Sequence, residues 1–103
     1  MPTIYENERT LERMTGVSEN CIEQAKRIIY NLHIQPDIVQ LGSLLKFEFT
    51  FPNGIMMDAY FYDYGIECMW IPSEIINVRP YIPPCLVITD AQFIKLFLDV
   101  SRK

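Results

Sequence analysis

Alternating apolar and polar residues mark the middle of the chain as a pair of β-strands. From residue 45 to residue 51 every second side chain is Leu or Phe, and Lys46, Glu48 and Thr50 lie between them. This period of two is typical of a strand with one face on a hydrophobic core. Residues 52–54, Pro-Asn-Gly, suit a three-residue hairpin loop. That loop predicts pairs whose members are all apolar: Phe51–Ile55, Phe49–Met57, Phe47–Ala59 and Leu45–Phe61.

The hairpin is expected to extend into a larger antiparallel sheet. A second turn at residues 63–65 predicts a third strand over residues 66–71. We expect this strand to pair Cys68 with Phe61 and Trp70 with Ala59. Residues 86–88, Leu-Val-Ile, suit a short fourth strand. The sequence therefore predicts an antiparallel meander of three to four strands.

Two segments carry apolar residues at the spacing of an α-helix. Residues 18–33 begin with Ser18, a favourable N-cap, and repeat apolar side chains at three- and four-residue intervals. Residues 90–101 follow Thr89, which is placed to form a capping box with Gln92. This second helix is apolar over most of its circumference. We therefore expect it to be buried on two sides, either between two layers of one chain or in a homodimer interface.

The remaining segments are predicted less specifically. Residues 1–16 suit either a short helix or an N-terminal arm, because like charges one turn apart oppose a helix. Residues 72–84 hold four prolines and predict an extended connector. The whole pattern predicts one α+β domain over residues 1–103, with the antiparallel sheet packed against the two main helices.

The polar face of the central hairpin carries an unusual set of side chains. The predicted register sets Glu48 opposite Asp58 and Lys46 opposite Tyr60, and two directly opposed carboxylates repel each other. A solvated sheet face more often carries Lys, Thr and Ser. We interpret this face as a protein-binding surface whose acids receive a Lys or Arg. Its candidate residues are Lys46, Glu48, Met56, Asp58, Tyr60, Tyr62 and Met69.

Two other interpretations of this face follow from the same residues. In the first interpretation, the last helix or the N-terminal arm covers the apolar part of this face, and Lys46 screens the two acids. A metal site at Glu48 and Asp58 is the second, and we do not expect it because two carboxylates fall short of the usual oxygen shell.

Composition and charge exclude several function classes. Thirteen acidic residues and nine basic ones give the chain a net charge of −4. We therefore expect a basic protein, and not a nucleic acid, as its ligand. No apolar run approaches the length of a membrane span, and Met1 to Met14 lacks the apolar region of a signal peptide. Three widely spaced cysteines do not suit a disulfide framework. We expect them as small buried residues in a reducing, cytoplasmic compartment.

No catalytic or cofactor motif accompanies this pattern. His33 is the only histidine, and neither it nor Cys85 stands in a nucleophile motif. The four glycines are dispersed and form no phosphate-binding loop. We therefore expect neither a cofactor nor a metal, and no enzymatic activity.

The layout of helix, strand, Asn-Gly turn and strand resembles that of many small bacterial and phage α+β proteins. These include immunity, antitoxin and anti-defence proteins and acidic secretion chaperones. The resemblance is one of layout only. The function that we expect is that of a non-catalytic module that acts by occupying a partner's surface, as an inhibitor, antitoxin or immunity factor does. An acidic dimeric chaperone or assembly factor is the alternative function, and a small-ligand sensor or enzyme is the third.

Overall fold

Three helices and five strands make up the computed structural model, which describes residues 1–71 and 85–103. In chain order they are α1 (Ile4–Arg13), α2 (Glu19–Ile29), β1 (Asp37–Leu41), β2 (Leu44–Thr50), β3 (Met56–Tyr62), β4 (Gly65–Ile71), β5 (Cys85–Val87) and α3 (Asp90–Ser101). The connector predicted over residues 72–84 lies outside the described residues. None of the described helices is long and apolar enough to cross a lipid bilayer.

The five strands form one antiparallel sheet in the order β1-β2-β3-β4-β5. The predicted α+β class with a meander sheet is confirmed, but three to four strands was an underestimate. The strand that the prediction missed is β1, a short edge strand directly after Pro36. It joins β2 through Gly42 and Ser43, and Gly42 has a φ of 63°. Glycine with positive φ at the first of two loop residues is the mark of a type II′ hairpin.

The central β2–β3 hairpin has the predicted register. Phe47 lies opposite Ala59, and the same alignment pairs Leu45 with Phe61. The loop is closed by two backbone hydrogen bonds of 2.9 Å, from Phe51 N to the Ile55 carbonyl and from Gly54 N to the Phe51 carbonyl. Gly54 has a φ of 86°, which a glycine adopts without steric strain.

The predicted register between β3 and β4 was wrong by two residues. Cys68 lies opposite Ala59, not Phe61, and Trp70 lies opposite Met57, not Ala59. The connection is shorter than predicted because Gly65 belongs to β4, where a Cβ would lie 2.8 Å from the Val87 carbonyl oxygen of β5. A shift of two residues keeps every side chain on its predicted face. The predicted last strand, residues 86–88, is β5 at Cys85–Val87.

The N-terminal segment is a helix rather than an extended arm. Glu6 N donates to the hydroxyl of the N-cap residue Thr3 at 3.1 Å. Asn7 is buried and donates from Nδ2 to the Pro36 carbonyl at 3.0 Å, which fastens α1 beside the start of β1. This long-range contact explains why the helix forms despite its unfavourable charge spacing.

The second helix is shorter than the predicted 18–33 segment, because it ends at Ile29. The amide of Gln35 donates from Nε2 to the carbonyls of Ile29 at 2.8 Å and Leu32 at 3.1 Å. These bonds satisfy carbonyls that the end of a helix leaves free and let the chain turn towards β1. The predicted bounds of α3 are confirmed, and so is its capping box, in which Gln92 N donates to the Thr89 hydroxyl at 3.1 Å.

All three helices contribute to one hydrophobic core on a single side of the sheet. Phe97 of α3 packs against Phe49 and Phe51, with ring centres 5.3 and 5.4 Å apart. Helices α2 and α3 are joined by an ion pair in which Arg27 Nε lies 2.8 Å from Asp90 Oδ2. The buried core residues are Leu11, Cys21, Ala25, Ile28, Ile29, Leu32, Leu45, Phe47, Phe49, Phe51, Ile55, Met57, Ala59, Phe61, Ile66, Cys68, Val87, Phe93, Phe97 and Val100.

Candidate binding face

The side of the sheet opposite the helices is the candidate site, and we call it the open face. The register places all seven candidate residues on it: Lys46, Glu48, Met56, Asp58, Tyr60, Tyr62 and Met69. Each of them is half-buried or exposed. The buried side chains of α1, α2 and α3 all join the core on the other side. The interpretation in which the last helix or the N-terminal segment covers this face is therefore wrong for the described part of the chain.

A lysine held by an acid and an aromatic ring lies at the centre of the open face. Lys46 Nζ is 5.6 Å from the centre of the Tyr60 ring and 3.7 Å from Glu48 Oε1. The Lys46 side chain is only 15% exposed, so its aliphatic part is covered while its charge stays on the surface. This arrangement holds Tyr60 in place and leaves its ring half-buried at the surface.

Three carboxylates form an acidic row across the neighbouring strands. Asp37 of β1 lies opposite Glu48 of β2, and Glu48 lies opposite Asp58 of β3. Burial raises the pKa of Asp58, the nearby Lys46 ammonium lowers it, and the charge of Glu48 raises it. The net direction is upward, because the effect of burial is the largest of the three.

The carboxylates of the acidic row are not grouped as metal ligands among the described residues. Within the described ranges, no group of three or more His, Cys, Asp or Glu side chains is arranged to hold a metal ion.

Sequence reasoning missed two acids and one aromatic residue of this face. Asp37 was missed because β1 was not predicted. Glu67, which lies opposite Tyr60, also belongs to this face in the predicted register but was not chosen as a candidate. Tyr64 in the turn stacks on Tyr62 with ring centres 5.0 Å apart, and its hydroxyl lies 3.3 Å from Glu67 Oε1. The Gly-Ser turn after residue 41 is the sequence signal that would have revealed β1 and hence Asp37.

Exposed apolar side chains border the acidic row. Met56 and Ile71 lie opposite each other on β3 and β4 and are 50% and 42% exposed. Leu86 of β5 and Leu41 of β1 are each 51% exposed, at the two edges of the sheet. Apolar side chains of this size, with acids and tyrosines between them, are typical of contact surfaces rather than of a solvated sheet.

A cleft of about 380 Å³ opens at one end of the sheet, beside the β3–β4 turn. Asp63 accepts hydrogen bonds there from the Ser18 hydroxyl and, at 3.7 Å, from Cys21 Sγ. The sequence had predicted that Ser18 caps α2. Its side chain instead binds the β3–β4 turn and makes no cap hydrogen bond. Burial is the main cause of the raised pKa of the Cys21 thiol, so this cysteine is a poor nucleophile.

The single histidine takes part in packing at the edge of the core. His33 is exposed, and its ring meets that of Phe97 edge-on with centres 5.2 Å apart.

Comparison of the chain with family models, with curated proteins and with solved structures gives no match. The geometry of the open face therefore has to carry the functional argument.

Proposed function

We propose that the chain is a non-catalytic protein-binding module whose open face occupies the surface of a basic partner protein. The observation that supports this most is the acidic row Asp37–Glu48–Asp58 beside the half-buried ring of Tyr60. An aromatic anchor next to paired charges is a frequent composition of a binding hot spot. An arginine of the partner would bond to the carboxylates and stack on the tyrosine.

The charges of the face favour a basic partner over an acidic or neutral one. The face carries the acids Asp37, Glu48, Asp58 and Glu67, whereas Lys46 is paired with Glu48. The net charge of −4 adds a long-range field of the same sign. Such a field speeds encounter with a positive surface and slows encounter with a negative one.

Binding of this kind acts by exclusion. A module that covers the basic surface of another protein keeps that surface from its own ligand, as an inhibitor, antitoxin or immunity factor does.

An acidic dimeric chaperone or assembly factor is the second candidate, favoured by the half-buried apolar residues Ile94, Leu96 and Leu98 of α3. A chaperone would retain partly unfolded clients, whereas an inhibitor would retain one folded partner.

The experiment is affinity capture with three forms of the chain, carried out in an extract of the source cells. The first is the wild type, and the second carries Glu48→Gln with Asp58→Asn on the open face. The third carries Glu19→Gln with Glu23→Gln, which removes the same charge from exposed positions on α2. The proposal expects one basic, folded protein at equal stoichiometry with the first and third forms, and its loss with the second. Equal capture by all three forms, or an acidic partner, would contradict it.

A further inference from the structure

Two of the three cysteines face each other across neighbouring strands. Cys68 of β4 lies directly opposite Cys85 of β5, with both side chains on the core side of the sheet. Directly opposed residues of an antiparallel pair have Cα atoms roughly 4.5–5.5 Å apart. A disulfide needs Cα atoms roughly 4.4–6.8 Å apart, so the register alone satisfies this requirement. The predicted sheet had placed neither cysteine in this pair.

We propose that Cys68 and Cys85 are a reversible disulfide site that fastens β5 to β4. Both thiols are free in the structure, and the nearby Cys85 contributes to the raised pKa of Cys68. Cys21 takes part in a different contact, because its thiol donates a hydrogen bond to Asp63 Oδ1 at 3.7 Å beside the β3–β4 turn. This inference does not depend on the proposed binding function.

The position of the pair gives the bond a structural effect. β5 is a three-residue strand at the edge of the sheet, and Cys68–Cys85 is the last pair of its ladder with β4. An edge strand of three residues has few contacts to hold it, so it belongs to the parts of a fold that open locally at low cost. A disulfide at its first residue would close the chain between residues 68 and 85 into a loop and restrict that opening.

The different burial of the two thiols sets the order of the reaction. Cys68 is fully buried, and burial raises the pKa of its thiol to about 12, whereas Cys85 is half-buried. Cys85 therefore reacts first: its thiolate attacks one sulfur of a glutathione-type disulfide, and the other half leaves as a thiolate. The Cys68 sulfur then attacks Cys85 Sγ in the mixed disulfide and expels the second small thiolate.

The overall exchange balances. Two protein thiols and one small disulfide become one protein disulfide and two small thiols. The protein loses two electrons and two protons, which the small disulfide gains. Because the raised pKa keeps Cys68 protonated, the second step is expected to be the slow one.

The test treats the folded full-length chain with excess oxidised glutathione, followed by acid quenching, alkylation and intact-mass measurement. We expect the mass to fall by two hydrogens, with a peptide that joins Cys68 to Cys85, and dithiothreitol to reverse the change. The oxidised form should also melt at a higher temperature. A wild-type protein that stays unmodified, keeps a glutathione adduct, or is crosslinked only in urea would overturn the proposal.

Two variants separate the site from general cysteine reactivity. Cys68→Ala keeps a small apolar side chain in the core and should trap a stable glutathione adduct on Cys85. Cys21→Ser should be crosslinked like the wild type, and circular dichroism confirms that both variants are folded. A crosslink in the Cys68→Ala variant, or none in the Cys21→Ser variant, would overturn the proposal.

Discussion

The ammonium group of Lys46 lies 5.6 Å from the centre of the Tyr60 ring, directly across the β2–β3 pair. The same ammonium is 3.7 Å from a carboxylate oxygen of Glu48. Lys46 therefore forms its ion pair with Glu48. Among the described residues, no ion pair involves Asp58, the third member of the acidic row.

The substitution Asp58→Asn should stabilise the protein in a pH-dependent way. Burial, the main cause, raises the pKa of Asp58 in the folded protein above its ordinary value of 3.8. The protonated carboxyl of Asp58 stabilises the folded protein below pH 3.8, and this stabilisation is lost as the pH rises through the folded-state pKa. At pH 7 we expect the variant to gain roughly 0.2–1 kcal/mol in the free energy of unfolding, because a half-buried charge and its repulsion by Glu48 are both removed.

Urea unfolding at neutral pH and well below the pKa of Asp58 measures this difference. Under the acidic condition the wild-type carboxyl is already neutral, so the gain should vanish. A gain of equal size at both pH values, or a loss at neutral pH, would show that the charge of Asp58 is not the source.

Asp90 should give the opposite dependence on pH. Its hydrogen bonds from Arg27, with Nε 2.8 Å from Oδ2, are the main cause of its lowered pKa, and a bond from Gln24 adds to it. The stabilisation is present above its ordinary pKa of 3.8 and is lost as the pH falls through the folded-state pKa. Since the pair is partly exposed, Asp90→Asn should cost only about 0.5 kcal/mol at pH 7. The same urea titrations test it, and a cost that persists in acid would contradict the assignment.

Asn53 in the β2–β3 loop holds the end of α3. Its Nδ2 donates to the carbonyls of Val100 at 3.1 Å and Lys103 at 3.0 Å, and its Oδ1 accepts from Ile55 N at 3.0 Å. We expect Asn53→Ala to lower the free energy of unfolding by about 1–2 kcal/mol, because it leaves these groups without their partner.

Asn53→Asp is the informative comparison for this contact. It keeps the acceptor for Ile55 N but sets a negative charge against the carbonyl end of the helix, so it should destabilise at least as much. An Asp variant as stable as the wild type in denaturant unfolding would show that the bonds to α3 contribute little.

Local chemistry explains which parts of the fold were predictable. The β2–β3 hairpin followed from the alternation around Phe47 and from the positive φ that the loop requires at Gly54. The β3–β4 register did not, because the local sequence does not show that Gly65 belongs to β4, where a Cβ would lie 2.8 Å from the carbonyl oxygen of the much later residue Val87. Asn53 likewise holds the end of α3 through a hydrogen bond to the carbonyl of Val100, and the local sequence pattern does not predict this contact.

The candidate site was predictable to the same extent. Face membership survives a register error of two residues, so the seven predicted positions share one face in the structure. The acidic row was incomplete without Asp37, whose strand is short and lies at the sheet edge. A continuous row across three strands is a property of pairing, which the pattern of one strand does not contain.

The apolar circumference of α3 predicts self-association. Phe93, Phe97 and Val100 are buried in the core, whereas Ile94, Leu96 and Leu98 remain half-buried. We expect sedimentation equilibrium at micromolar concentration to show a reversible dimer of the 12.1 kDa chain, weakened by Leu96→Glu. A species of 12.1 kDa at every concentration would contradict the dimer.

The central claim is that the open face binds a basic protein, and the affinity of the captured partner for Tyr60→Ala tests it most directly. Tyr5→Ala is the matched control, because Tyr5 is 78% exposed on α1, away from the open face. Isothermal titration should show that Tyr60→Ala weakens binding by about 2 kcal/mol or more while Tyr5→Ala leaves it unchanged. Unchanged affinity in the Tyr60→Ala variant, with its fold intact by circular dichroism, would contradict the account.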